Sequence, residues 1–147
     1  MTVTDTDIVK RDLYCNGERF GDGPAYERID GIVKYAVDPK DPANARITDL
    51  GNAKRDSDGL VRFSGDFTIL TPLEGGNGAA LLDVPNRGGR VAPRMFNFAP
   101  LQEDPHLIEV GDGHLLRHGW TVAFCGWQWD VPRESGRMGL APPLVAE

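Results

Sequence analysis

Cysteine is scarce in this chain: Cys15 and Cys125 are the only two in 147 residues. One lies in a polar N-terminal stretch and the other inside an apolar run. That scarcity argues against a disulfide-stapled scaffold and fits a reduced, cytoplasmic protein. Long apolar runs are also missing, and none approaches the roughly 20 residues that cross a bilayer as a helix. The opening MTVTDTDIVKRD is acidic and polar, without the basic and apolar segments of a secretory signal. Basic charge is in deficit. The 16 Lys and Arg stand against 22 Asp and Glu, giving a formal net charge of −6, which disfavours nucleic acid and anionic membranes as partners. Turn formers, by contrast, are plentiful. With 18 Gly and 11 Pro, the chain reads as many turns and short elements, mostly β. Apolar residues at 40% and charged residues at 26% suffice for one domain with a real core.

The stretch around which the chain is organised is NGAALLDVPNRGGR, Asn77 to Arg90. Ala79 to Val84 is nearly continuous in apolar residues, too short for a free-standing helix and bounded by Gly78 and Pro85. It reads as a strand buried on both faces, with helices on both sides. Pro85 stops the ladder. Asn86, Arg87, Gly88 and Gly89 then offer backbone able to take positive φ and to aim consecutive N–H groups at one spot, where an anion or an oxyanion can sit. A tight turn that simply needs glycine is the other reading of the same residues.

Residues 1–24 carry no sustained periodicity and read as an irregular leader, so the domain is taken as 25–147. Tyr26 to Val37 alternates and predicts a partly exposed strand, with Gly31 marking a bulge. The prolines of DPKDP make a turn rather than a calcium loop, since the regular acidic spacing is missing. Asn44 to Leu50 is a candidate short strand. Leu60 to Leu70 alternates between an apolar face through Val61, Phe63, Phe67 and Ile69 and a mostly polar one through Arg62, Ser64, Asp66 and Thr68, which predicts a half-buried antiparallel strand. A long connection from Arg90 to Gly111 follows, and connections of that length are functional or conceal an element. Leu107 to Val110 reads as a short apolar segment packing on the core. GDGHLLRHG predicts a brief helix, capped by Asp112, burying Leu115 and Leu116, and ended by Gly119. Trp120 to Gly126 is a second buried strand, parallel to the first through a βαβ crossover. Beyond it Trp127 and Trp129 alternate at strand spacing at a carboxyl strand end, where ligands bind in open α/β sheets; packing under a covering loop is the alternative. The Pro- and Gly-rich ending contains no closing element.

The segments YERIDGIVKYAVDPKDPANARITDL, GLVRFSGDFTIL, NGAALLDVPNRGGR and EVGDGHLLRHGWTVAFCGWQWDVPRESGRMGL, spanning Tyr26 to Leu140, resemble the N-terminal part of bacterial alpha/beta hydrolase domain-containing proteins. The resemblance implies an α/β fold: an antiparallel strand pair followed by a parallel βαβ unit, β-rich, with an incomplete sheet. It implies that the loop Asn86 to Gly89 is the oxyanion loop, with Gly88 or Gly89 donating an N–H, and that Trp127, Trp129 and Asp130 border a substrate cavity. In that superfamily the nucleophile stands in a G-x-S-x-G elbow, with the acid and histidine later in the chain. Ser57, Ser64 and Ser135 are the only serines, and none lies in such a motif. The resemblance therefore implies the opening portion of a serine-type hydrolase of esters or related acyl compounds, as a truncated product or an isolated piece. On that reading the chain supplies strands and oxyanion loop but no catalytic residue, is inactive alone, and needs no cofactor.

Two other readings compete. His114 and His118, four apart on one helix, can share a face with His106 and Cys125 as conceivable further metal ligands, but the glutamate of H-E-x-x-H is missing. Alternatively, the chain is a non-catalytic interaction module. A partial sheet leaves an unpaired edge at its last strand, and that edge pairs with the remainder of a hydrolase fold or with a second copy.

Overall fold

The alternation at Tyr26–Val37 produces the strand it predicts, and that strand anchors the sheet. The computed structural model describes residues 1–101, 103–132 and 136–145. Its sheet is six-stranded and mostly antiparallel, in a β-rich mixed α/β structure with few helices. The strands are β1 (Thr2–Leu13), β2 (Tyr26–Val37), β3 (Val61–Pro72), β4 (Ala80–Asp83), β5 (Thr121–Cys125) and β6 (Leu140–Ala141). Their order is β1-β2-β3-β5-β4, with β6 added against β3. Two short helices, α1 (Ala92–Asn97) and α2 (His114–Arg117), lie in the long connection between β4 and β5.

The pair β4–β5 is parallel as expected, with Leu81 opposite Val122. Its position is not as expected. β5 inserts between β3 and β4, so β4 lies at the edge of the sheet rather than in its interior. Leu82 is 64% exposed and Val84 is 53% exposed. At β4 and β5 the two helices cover one face: Leu70 and Val122 of that face cluster with Leu115 and Leu116 of α2, with Ala92 of α1 and with Ile108. A continuous apolar run does not distinguish a strand covered on both faces from one whose second face is open.

Three further expectations are corrected. Residues 2–13 are not an irregular leader but β1, paired antiparallel with β2 from Thr2↔Ala36 to Leu13↔Glu27. Every residue of β1 is exposed, so no apolar periodicity marks it, and its backbone bonds to β2 form the strand. The bulge expected at Gly31 lies on β1, where the register shifts between Ile8 and Lys10. Gly31 itself serves close approach, since a Cβ there would collide with the Asp7 carbonyl oxygen. Asn44 to Leu50 forms no strand but lies among two short 3-10 turns, Pro42–Asn44 and Leu50–Asn52, the first capped by Asp41 accepting from the Ala43 N–H at 2.9 Å.

The C-terminal stretch does contain a closing element. β6 pairs with Ser64 and Gly65 of β3. Glycines make room for it: a Cβ on Gly126 would stand 2.6 Å from the Gly139 carbonyl oxygen.

The reading of α2 holds for its buried leucines and its end: Leu115 and Leu116 are buried and Gly119 has φ 71°. The N-cap is Gly113, not Asp112, whose carboxylate accepts from the His114 N–H at 2.9 Å just outside the helix. Ile108 is buried and its carbonyl accepts from the Tyr14 hydroxyl at 2.6 Å. Among the described residues no helix is long and apolar enough to cross a membrane.

Candidate functional site

The turn after β4 is built by its own residues. The Gly89 N–H donates to the Asn86 carbonyl at 3.1 Å, and the two central residues, Arg87 and Gly88, have φ 52° and 76°. Positive φ at both centres is the signature of a type I′ turn, which favours glycine. Gly88 is also required sterically, because a Cβ would meet Arg137 Cβ at 2.7 Å and the Met138 carbonyl oxygen at 2.8 Å.

Two of the candidate donors are occupied. The Gly89 N–H closes the turn, and the Arg87 N–H donates to Gln128 Oε1. Among the described residues the Gly88 N–H has no partner, but Gly88 is buried against Arg137 and Met138 and is not one of the residues lining the neighbouring cavity. Asn86 and Gly89 line a cavity of about 370 Å³, together with Arg90, Arg94 and Arg137.

Trp127, Trp129 and Asp130 are not among the residues lining that cavity. Trp127 donates from Nε1 to the Pro85 carbonyl at 2.9 Å, which pins it to the stem of the turn. Asp130 forms an ion pair with Arg87 at 2.6 Å, and this bond holds its carboxyl below the usual range. Trp129 is 70% exposed. Asp130 and Trp127 thus brace the turn.

The residues after the turn make a second centre that sequence reasoning missed. Asp83, at the end of β4, accepts N–H bonds from Val91 at 2.6 Å and Ala92 at 2.7 Å. One carboxylate thereby folds the loop back and brings Arg90 over the sheet. Strand register puts Lys10, Asp30, Thr68, Phe124 and Asp83 opposite one another in a row across five strands. Arg90 lies against that row. Its Nη2 donates to Thr68 Oγ1 at 3.0 Å and its Nη1 to the Pro105 carbonyl at 2.6 Å, with Cζ 5.7 Å from the centre of the Phe124 ring. Thr68, 1% exposed, donates onward to Asp30 Oδ1 at 2.6 Å. Arg28 reaches Asp30 through Nη2 at 3.1 Å and donates from Nη1 to the His106 carbonyl at 2.7 Å. Its Nε stands 2.8 Å from Asp30 Oδ2, an ion-pair contact without hydrogen-bond geometry. Burial first, and the Arg28 charge second, bring the Arg90 guanidinium down to about 10, which leaves it cationic at neutral pH.

The polar side of β3 is therefore an inward side at Thr68, contrary to its reading as the solvent face. Alternation reports which residues share a face, and buried hydrogen bonding decides which face goes in. The only signal in the sequence is the density of arginine after β4.

His114 and His118 do share a face, with ring centres 4.7 Å apart. Cys125 lies 3.5 Å from the Tyr35 hydroxyl. Among the described residues no group of three or more His, Cys, Asp or Glu is placed to hold a metal ion. Both cysteines are free. Ser135, considered above for the nucleophile motif, lies outside the described residues. Compared with known protein families, curated proteins and solved structures, the chain matches none.

Proposed function

We propose that this chain is the N-terminal portion of a serine-type α/β hydrolase, contributing half of a sheet and an oxyanion loop to ester or related acyl hydrolysis in a reduced, cytoplasmic setting. The observation that carries the reading is the parallel pairing of Leu81 with Val122, which puts the Asn86–Gly89 turn at a carboxyl strand end against a cavity. Ligands bind outside the carboxyl ends of strands in α/β sheets, and the loop after the third strand of a hydrolase supplies an oxyanion N–H. The donation falls to Gly88 or Gly89: Gly89 lines the cavity but spends its N–H on the turn, and Gly88 keeps its N–H but lies behind the cavity wall. A preorganised donor of this kind contributes about 3 kcal/mol to an acyl-transfer transition state, and only in the presence of a nucleophile. The substrate is a small ester-type molecule; neither nucleic acid nor membrane is involved.

The open edge of β4 and the exposed Leu82 support the same reading, because both are surfaces that further strands and helices of a hydrolase would cover. They equally favour a second reading, an interaction module pairing through that edge with another copy. The outer strands of the sheet are β1 and β4, whereas the edge was first expected at the strand Trp120 to Gly126.

The test is the reading frame downstream of Glu147. An in-frame Gly-x-Ser-x-Gly within about a hundred residues, in the strand-to-turn-to-helix context of a nucleophile elbow, supports the hydrolase; its absence overturns it. The 147-residue chain alone should remain unlabelled by a fluorophosphonate probe. A dimer in sedimentation with no such downstream motif would establish the module instead.

A further inference from the structure

A cavity of about 600 Å³ lies on the sheet face that carries the Lys10–Asp30–Thr68 row, and Arg90, His106 and Gly136–Met138 complete its wall. It is separate from the turn cavity except that Arg90 and Arg137 line both. Its charge is unusual for a chain of net charge −6. Among the described residues that line it, Lys10, Arg28, Arg90 and Arg137 face two carboxylates, Asp30 and Asp66, while Lys10 is also paired with Asp12 outside the lining.

Asp30, Asp66 and Asp83 attract the Arg90 charge from a distance, but none of them bonds to it directly. Asp30 is engaged by Arg28 and Thr68, and Asp66 accepts from the Gly139 N–H at 2.8 Å. Among the described residues Arg90, 9% exposed, directly meets two neutral oxygens and a ring, and its Nε has no hydrogen-bond partner. Arg137 likewise donates to a neutral oxygen, the Arg87 carbonyl, at 2.9 Å. A buried cation held by neutral oxygens alone is costly unless an anion accompanies it. Ile32, Phe67 and Met138 add apolar wall, and the volume falls within the range of small-molecule sites.

We propose that this cavity binds a small organic anion, its carboxylate or phosphate against Arg90, Arg28 and Arg137 and its apolar body against Phe67 and Met138. Arginine's planar fork suits either anion. The site does not depend on hydrolase activity, so its failure and that of the hydrolase reading are distinguishable.

Isothermal titration of the 147-residue chain with benzoate, phenyl phosphate and benzyl alcohol tests it. These share a ring and differ in charge. At least one of the two anions should bind at least about tenfold more tightly than the alcohol, the difference of one charge-assisted contact, and whichever binds better identifies the headgroup. Arg137→Gln and Lys10→Gln, with folding checked by circular dichroism, should each weaken that anion severalfold, and raised salt should weaken it further. The proposal is overturned if neither anion outbinds benzyl alcohol on the parent chain, or if both folded variants bind the anion as the parent does.

Discussion

Replacing Thr68 by valine keeps the shape of a buried side chain and deletes one oxygen. That oxygen accepts from Arg90 Nη2 and donates to Asp30 Oδ1, so both of its bonds involve ionised groups. Hydrogen bonds to charged partners contribute about 1.5–3 kcal/mol each. Arg90 retains Pro105 and Asp30 retains Arg28, which puts both losses at the low end, and the summed destabilisation is about 3 kcal/mol. At this chain length each kcal/mol lowers Tm by about 3 °C, so Thr68→Val should melt about 10 °C below the parent. Thr68→Ser retains both bonds and removes one methyl, costing about 1 kcal/mol. Differential scanning calorimetry of the three proteins at neutral pH decides the matter. If valine matches the parent, or is more stable than serine, the Arg90–Thr68–Asp30 chain does not hold the sheet face as described.

The chain's three tyrosines are all shifted upward: burial pushes Tyr26 and Tyr35 to about 12, Cys125 adding to the effect at Tyr35, and pushes Tyr14 higher still. Raised folded values mean the unfolded chain releases these protons first, so their contribution is complete below pH 10 and is lost as pH rises through 10 to 12 and beyond. Phenolate absorbance near 295 nm should therefore stay flat through pH 10 and rise together with unfolding; a rise at pH 10 with circular dichroism intact contradicts that burial. Gly88→Ala and Gly78→Ala both force a side chain into positive φ, at about 1–2 kcal/mol, but only Gly88 also meets backbone and side-chain atoms under 3 Å. Urea unfolding should find Gly88→Ala the more damaging by at least about 1 kcal/mol, and equal values would mean the turn yields at Met138. Leu82→Lys, on the open side of β4, should change stability by no more than about 0.5 kcal/mol while abolishing any self-association seen by sedimentation; a large loss of stability would mean that the face is covered.

How legible the molecule was in its sequence varies with the physics of each element. Tyr26–Val37 was read to the residue because alternation and flanking proline and aspartate agree there. The parallel partnership of Leu81 and Val122 was also legible, since a connection with a helix in it is what parallel neighbours need. β1 was not, because all its residues are exposed, and a strand held by backbone bonds and by ion pairs such as Lys34 with Asp5 and Asp7 leaves no pattern of apolar side chains. Of the candidate site, the Asn86–Gly89 turn was marked by its glycines and does face a cavity through Asn86 and Gly89. Trp127 and Asp130 turned out to brace the turn.

Local chemistry in the sequence by itself determined where the strand Tyr26–Val37 starts and stops, which turn needs glycine and which leucines of α2 go inward. Each of those depends on residues within a few positions of one another. Only the tertiary structure decided that β5 lies between β3 and β4, that Thr2–Leu13 joins the sheet, and that Lys10, Asp30, Thr68, Phe124 and Arg90 meet. Those facts rest on register between strands far apart in the chain, and a single carboxylate, Asp83, sets where Arg90 lands.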